Sequence, residues 1–175
     1  MLEKYLGDSY DLIKRFWHEA LEPIAPLYAH PKFIPAELRS RFTTLTSIPI
    51  LDSHPNGPFG LLLDPHTGIP LPKETRVRAT AGYTSLPFIV ETERDLRPRY
   101  MVCYDQSYHR KHELDKKGQR AEKMRFLHKE GLVSFYYTSH APFLIVAREP
   151  GVLESIRDRL LALGIPAGRL EFETL

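Results

Sequence analysis

Proline constrains this chain more than any other residue. Ten of its 15 prolines fall between Pro23 and Pro72, and only Pro142, Pro150 and Pro166 lie beyond Pro98. Each proline removes a backbone donor and restricts the residue before it, so residues 22–72 have no room for long helices or central strands. The expectation is a chain in two parts. Residues 1–98 form an N-terminal helix followed by a proline-rich, irregular region with short strands, and residues 99–175 carry the regular scaffold.

In the first part, Leu2, Tyr5, Leu6, Ser9, Leu12, Ile13, Phe16, Trp17 and Ala20 recur at spacings of three and four, one face of an amphipathic helix. Lys4, Asp8, Asp11, Lys14, Arg15 and His18 fill the other face, and Asp8 is a competent N-cap behind Gly7. A shorter helix is expected through PAELRSRFTTL after Pro35. GLLLD and IPL, separated by PHTG, read as a hairpin, and ETRVRAT and SLPFIVET read as strands, with Pro87 pushing the latter to an edge or a strand start.

From residue 99 the pattern is regular. RYMVCYD, VSFYY, FLIVA and RLEFE read as strands, with helices over HELDKKGQRAEKMRFLHKEG and PGVLESIRDRLLALG. The order βαββαβ predicts an α+β fold with a ferredoxin-like C-terminal half. In that arrangement YMVCY and FLIVA, the continuous apolar runs, are central, and the alternating VSFYY and RLEFE are edges. Both helices then lie on one face. The opposite face needs the N-terminal helix, a second subunit or a small ligand as its cover.

Composition narrows the function classes without choosing one. The chain is 42% hydrophobic with a formal charge of +2, so it can bury a core. No stretch has the apolar length of a membrane helix, and the N-terminus lacks the pattern of a secretory signal. The single cysteine, Cys103, lies in YMVCY and fits a buried thiol in a reducing cytoplasm. GxGxxG, P-loop, CxxC, HExxH and GxSxG patterns do not occur.

Two constellations point to chemistry. Residues 108–129 carry eight basic side chains against three acidic ones. With Leu114, Ala121, Met124 and Leu127 turned inward, Lys116, Arg120 and Lys123 project outward as a phosphate-contacting face. The same charges also fit a solvated, salt-bridged helix. The second constellation is Asp105, closing YMVCYD, with His109 and His112 close behind. A carboxylate and two imidazoles suit a divalent metal ion, with Asp105 as the catalytic residue. Asp105 as a helix N-cap is the other reading.

YMVCYD, the basic helix and GLVSFYY resemble, over residues 100–147, small ferredoxin-like nucleases of the CRISPR adaptation and toxin type. The resemblance implies metal-dependent phosphodiester cleavage by the strand-terminal Asp105 at a homodimer interface. The chain departs from that pattern in its longer strand-to-helix segment and its long N-terminal part. The combined expectation is a nucleic-acid-binding protein with metal-dependent nuclease activity. The competing expectation is a non-catalytic module that dimerises or holds a small ligand through a free sheet face.

Overall fold

The computed structural model describes Glu3, residues 6–72 and residues 82–173. Six strands form one mixed sheet: β1 (Leu27–Ala29), β2 (Gly60–Leu63), β3 (Tyr100–Tyr104), β4 (Val133–Tyr137), β5 (Phe143–Ala147) and β6 (Leu170–Phe172). Their spatial order is β1-β2-β3-β5-β4-β6. β1, β2 and β3 run parallel, and the pairings β3–β5, β5–β4 and β4–β6 are antiparallel. Five α-helices accompany them: α1 (Ser9–Leu21), α2 (Arg39–Thr46), α3 (Leu86–Leu96), α4 (Lys116–Lys129) and α5 (Pro150–Ala162).

The mixed α+β character agrees with the sequence, but the ferredoxin-like strand order is not the one observed. That order would set RLEFE beside YMVCY. Instead β2 occupies that edge of β3, and β6 pairs with β4 at the far end. VSFYY is consequently an interior strand, while YMVCY and FLIVA are interior as expected. Right-handed crossovers explain the helix positions. The connections β3–α4–β4 and β5–α5–β6 step in the same direction along the sheet but start from antiparallel strands, so handedness sends their helices to opposite faces. Lys123 of α4 and Tyr136 of β4 both bond Asp105 on one face, whereas α5 packs beside α1 on the other.

Those two layers cover the centre of the sheet on both faces, while β4 and β6 stay partly exposed. Trp17 of α1 lies edge-on against Tyr137 and Phe143, at 5.5 Å from each ring. α3 packs beside α4 on the opposite side. Every residue of β2, β3 and β5 is buried as a result. α1 begins after Asp8, whose carboxylate accepts from Tyr10 N as an N-cap should. Its buried stripe is nevertheless Asp11, Lys14, Trp17, Ala20 and Leu21, and Leu12 faces solvent. The predicted stripe is rotated because Lys14 has an ionic partner inside.

Two further expectations change. GLLLD does not turn back into a hairpin, since β2 is inserted between two parallel neighbours. SLPFIVET forms α3: Ser85 caps it by accepting from Phe88 N, and Pro87 sits in the first turn, where its missing N–H has no helical partner to lose. ETRVRAT lies outside the described residues. Gly60 is required where it stands, because a Cβ there would collide with the ring of Tyr100, its register partner. Tyr100 passes over that gap to donate its hydroxyl to Ala25 O at 2.7 Å.

Candidate functional site

Parallel strands bring their carboxyl ends to one edge of a sheet, where open α/β sheets gather their binding groups. Here β2 and β3 each end in an aspartate, Asp64 and Asp105, and both are buried. Each aspartate holds a buried lysine from a helix packed on a different face.

Asp105 has donors on both oxygens. Oδ1 accepts from Ile69 N at 2.8 Å, Ser107 N at 3.1 Å and Ser107 Oγ at 2.5 Å. Oδ2 accepts from Lys123 Nζ and from the Tyr136 hydroxyl, each at 2.7 Å. The bond to Ser107 N is an Asx turn, the local geometry Asp favours after a strand. Gly68 lets residues 68–69 close over this carboxylate: its φ is +89°, and a Cβ would run into Asp105 Oδ1. Burial pushes the Tyr136 phenol well above its ordinary value, and the Asp105 charge pushes it further. Tyr136 therefore remains a donor at any physiological pH.

Lys123 is 1% exposed, with Nζ also donating to Ser107 Oγ at 2.7 Å. An ammonium has no lone pair to offer, so Ser107 gains a charge-assisted hydrogen bond here rather than a base. In the second centre Lys14 Nζ bridges Asp64 Oδ2 at 2.8 Å and Asp11 Oδ1 at 3.0 Å. The other Asp11 oxygen accepts from Gly7 N at 2.7 Å. Burial lowers the Lys14 pKa, but Asp64 and Asp11 more than offset it and leave it raised. Near the same edge the Tyr104 hydroxyl donates to Gln106 Oε1 at 2.7 Å, and Gln106 Nε2 donates to the Tyr10 hydroxyl at 3.3 Å. His140 lies 6.1 Å from the Tyr10 ring.

The residues singled out from sequence separate. Asp105 does not cap α4; Asp115 does, accepting from Gly118 N at 2.7 Å. His109 and His112 sit on the approach to α4 with ring centroids 6.1 Å apart, and His112 Nδ1 accepts from Leu114 N. Gln119 clamps this approach by bonding His109 N, His109 O and Leu114 O. Among the described residues no three His, Cys, Asp or Glu side chains gather as a metal cluster. Asp105 accepts from Ile69 N, Ser107 N, Lys123 Nζ and the Tyr136 hydroxyl, and the single proton of the Ser107 hydroxyl lies between Asp105 Oδ1 and Ile69 O.

The outward face of α4 is also redistributed. Lys116 is exposed, but Lys123 is buried, and Arg120 forks onto Glu171 of β6 with contacts of 3.2 and 2.6 Å. Arg110, Lys111, Lys116, Lys117 and Lys129 are exposed, and none makes an ion pair among the described residues. A cavity of about 810 Å³ opens beside them, and His109, Lys111, His112, Arg125 and Lys129 are among its lining groups, with Glu113 and Glu122 opposing.

Sequence reasoning gave Lys14, Asp64, Ser107 and Tyr136 no part in this site. A signal for Asp64 was present: GLLLD and YMVCYD are both apolar runs ending in aspartate, the form adjacent parallel strands take when their carboxyl ends meet. Comparison with known proteins yields no matching family model, no matching curated protein and no matching solved structure.

Proposed function

We propose that this protein binds nucleic acid by its phosphates, through the approach to α4 and that helix's first turn, and does not cleave it. The observation that carries the reading is the position of cations that make no ion pair among the described residues. Lys116 and Lys117 occupy the first turn of α4, and Arg110 and Lys111 stand just before it. The N-terminus of a helix is the positive end of its dipole, so cations there repel it and stability alone would favour acids. A surface with charges placed against its own stability suits an external anion. Phosphate contacts of this kind are insensitive to sequence and strongly dependent on salt. Cleavage is left out because Asp105, its carboxylate candidate, is buried and saturated with donors.

The test is a titration of single- and double-stranded oligonucleotides across salt. Binding should weaken with a log–log slope of about −0.9 per phosphate contact on duplex. The double variant Lys116→Glu, Lys117→Glu should flatten that slope while melting at or above the parent temperature, because acids suit the first turn of α4. No binding by the parent at low salt ends the proposal.

A further inference from the structure

At the end of the sheet opposite Asp105, four arginines converge on a cavity of about 730 Å³: Arg94 and Arg97 from the end of α3, Arg99 from just before β3, and Arg148 from just after β5. Glu93 and Glu149 are the acids in its lining, which leaves a surplus of two positive charges. Glu93 is occupied: buried at 3%, it receives the fork of Arg148 through Nε at 2.8 Å and through Nη2. Among the described residues Arg94 pairs with its exposed chain neighbour Asp95, at 3.6 Å. The side chains of Arg97 and Arg99 are exposed and make no ion pair or hydrogen bond among the described residues. α5 begins at the same cavity, and its N-cap residue Glu149 gives no side-chain cap to the first-turn N–H groups.

Arg97 adds an independent clue. It holds a left-handed backbone, φ 47° and ψ 51°, at the C-cap of α3. Glycine adopts that conformation without cost, whereas a side chain there is strained. An arginine where glycine would fold better suits a use of its guanidinium, although Ser47 ends α2 in the same left-handed conformation.

We infer that this cleft binds a small ligand carrying two or more linked phosphate groups. Arg97 and Arg99 are the two free forks, each matched to phosphate oxygens in bidentate geometry. Arg148, fixed by Glu93, borders the site, and the volume exceeds the needs of one phosphate. The site stands apart from the approach to α4 and does not depend on nucleic-acid binding there.

Calorimetric titration of the full chain with pyrophosphate, using sulfate at matched ionic strength as the control, tests the inference. Saturable binding of pyrophosphate in the presence of sulfate is expected. Arg97→Gly should weaken it at least about tenfold, the loss of one charge-assisted bidentate contact, while melting at or above the parent temperature because glycine suits the left-handed backbone. Arg99→Ala should weaken it similarly, and Lys116→Glu, Lys117→Glu should leave it unchanged. If Arg97 serves only as a helix cap, Arg97→Gly binds like the parent and the inference fails. It fails equally if pyrophosphate shows no saturable binding, or if the α4 variant loses binding as much as the arginine variants do.

Discussion

Lys123→Met would be among the most damaging single substitutions on α4, although in sequence it looks like one more surface lysine. Methionine keeps the length and apolar stem but strands the Asp105 charge, whose side chain is 1% exposed. Removing one partner of a buried ion pair typically costs about 3–5 kcal/mol. Asp105 would keep the donors of Ile69, Ser107 and Tyr136, which places the loss near the lower bound. For a domain of this size each kcal/mol shifts the melting temperature by about 2–4 °C, so a fall of roughly 6–12 °C is expected. Lys116→Met, on the same helix but exposed, should stay within about 0.5 kcal/mol of the parent. Asp105→Asn combined with Lys123→Met should cost less than the sum of the single changes, since both remove the same pair. Urea unfolding of the parent, the three single variants and the double variant, with midpoints compared at constant m-value, measures each quantity. An unfolding midpoint for Lys123→Met equal to that of the parent would falsify the buried-pair geometry.

Other outcomes follow from the same structure. His30 is pushed down to about 4, first by burial and then by the Lys32 charge; a depressed histidine contributes stability above its unfolded pKa near 6.5 that is lost as pH falls towards 4. After discounting for its partial exposure this amounts to about 1–2 kcal/mol, and acid titration of His30→Asn, which keeps an acceptor for Lys32 N, should show a shallower loss over that window. Ser85→Ala should cost about 1 kcal/mol by removing the cap of α3, and denaturant melts showing no change would mean that the Phe88 N–H is satisfied elsewhere. Gly68→Ala should lower the melting temperature by several degrees, because the left-handed backbone and the contact with Asp105 both oppose a Cβ; a thermal melt matching the parent would show that the turn can move away.

The regular elements beyond residue 99 were legible because each carries its own local signal. YMVCY and FLIVA are unbroken apolar runs, and α5 ends in a Schellman turn with Ile165 N bonded to Leu160 O and Gly164 at φ +87°. Strand order was not legible, since it depends on which neighbour claims the edge of β3, and GLLL as written is compatible with a hairpin or a parallel pair. SLPFIVET misled through its β-branched and aromatic content, although Ser85 before Leu86 and Pro87 is a helix start. Lys14 and Lys123 were read as solvent-facing because a helix pattern treats every lysine alike. What draws them inside is a carboxylate from elsewhere in the chain, 50 residues away in one centre and 18 in the other, and no helical periodicity contains that information.

The connectivity of the sheet also sets the order in which it can assemble. β4 and β5 meet across residues 138–142 alone, a loop whose closure costs little entropy. β1–β2 and β2–β3 must close residues 30–59 and 64–99 for parallel pairings of three and four residues, which repay that cost only once β3 is seated. During synthesis the first strands to emerge are therefore the last to settle, and pulse-labelled exchange on refolding should protect β4 and β5 before β1 and β2. Leu27–Ala29 and Gly60–Leu63 spend that interval as unpaired apolar segments, each a template for another chain. Pro26, Pro58 and Pro65 flank them closely, and a residue without an N–H interrupts intermolecular strand pairing. The prolines that deny this region long elements thus guard it against aggregation until YMVCY arrives.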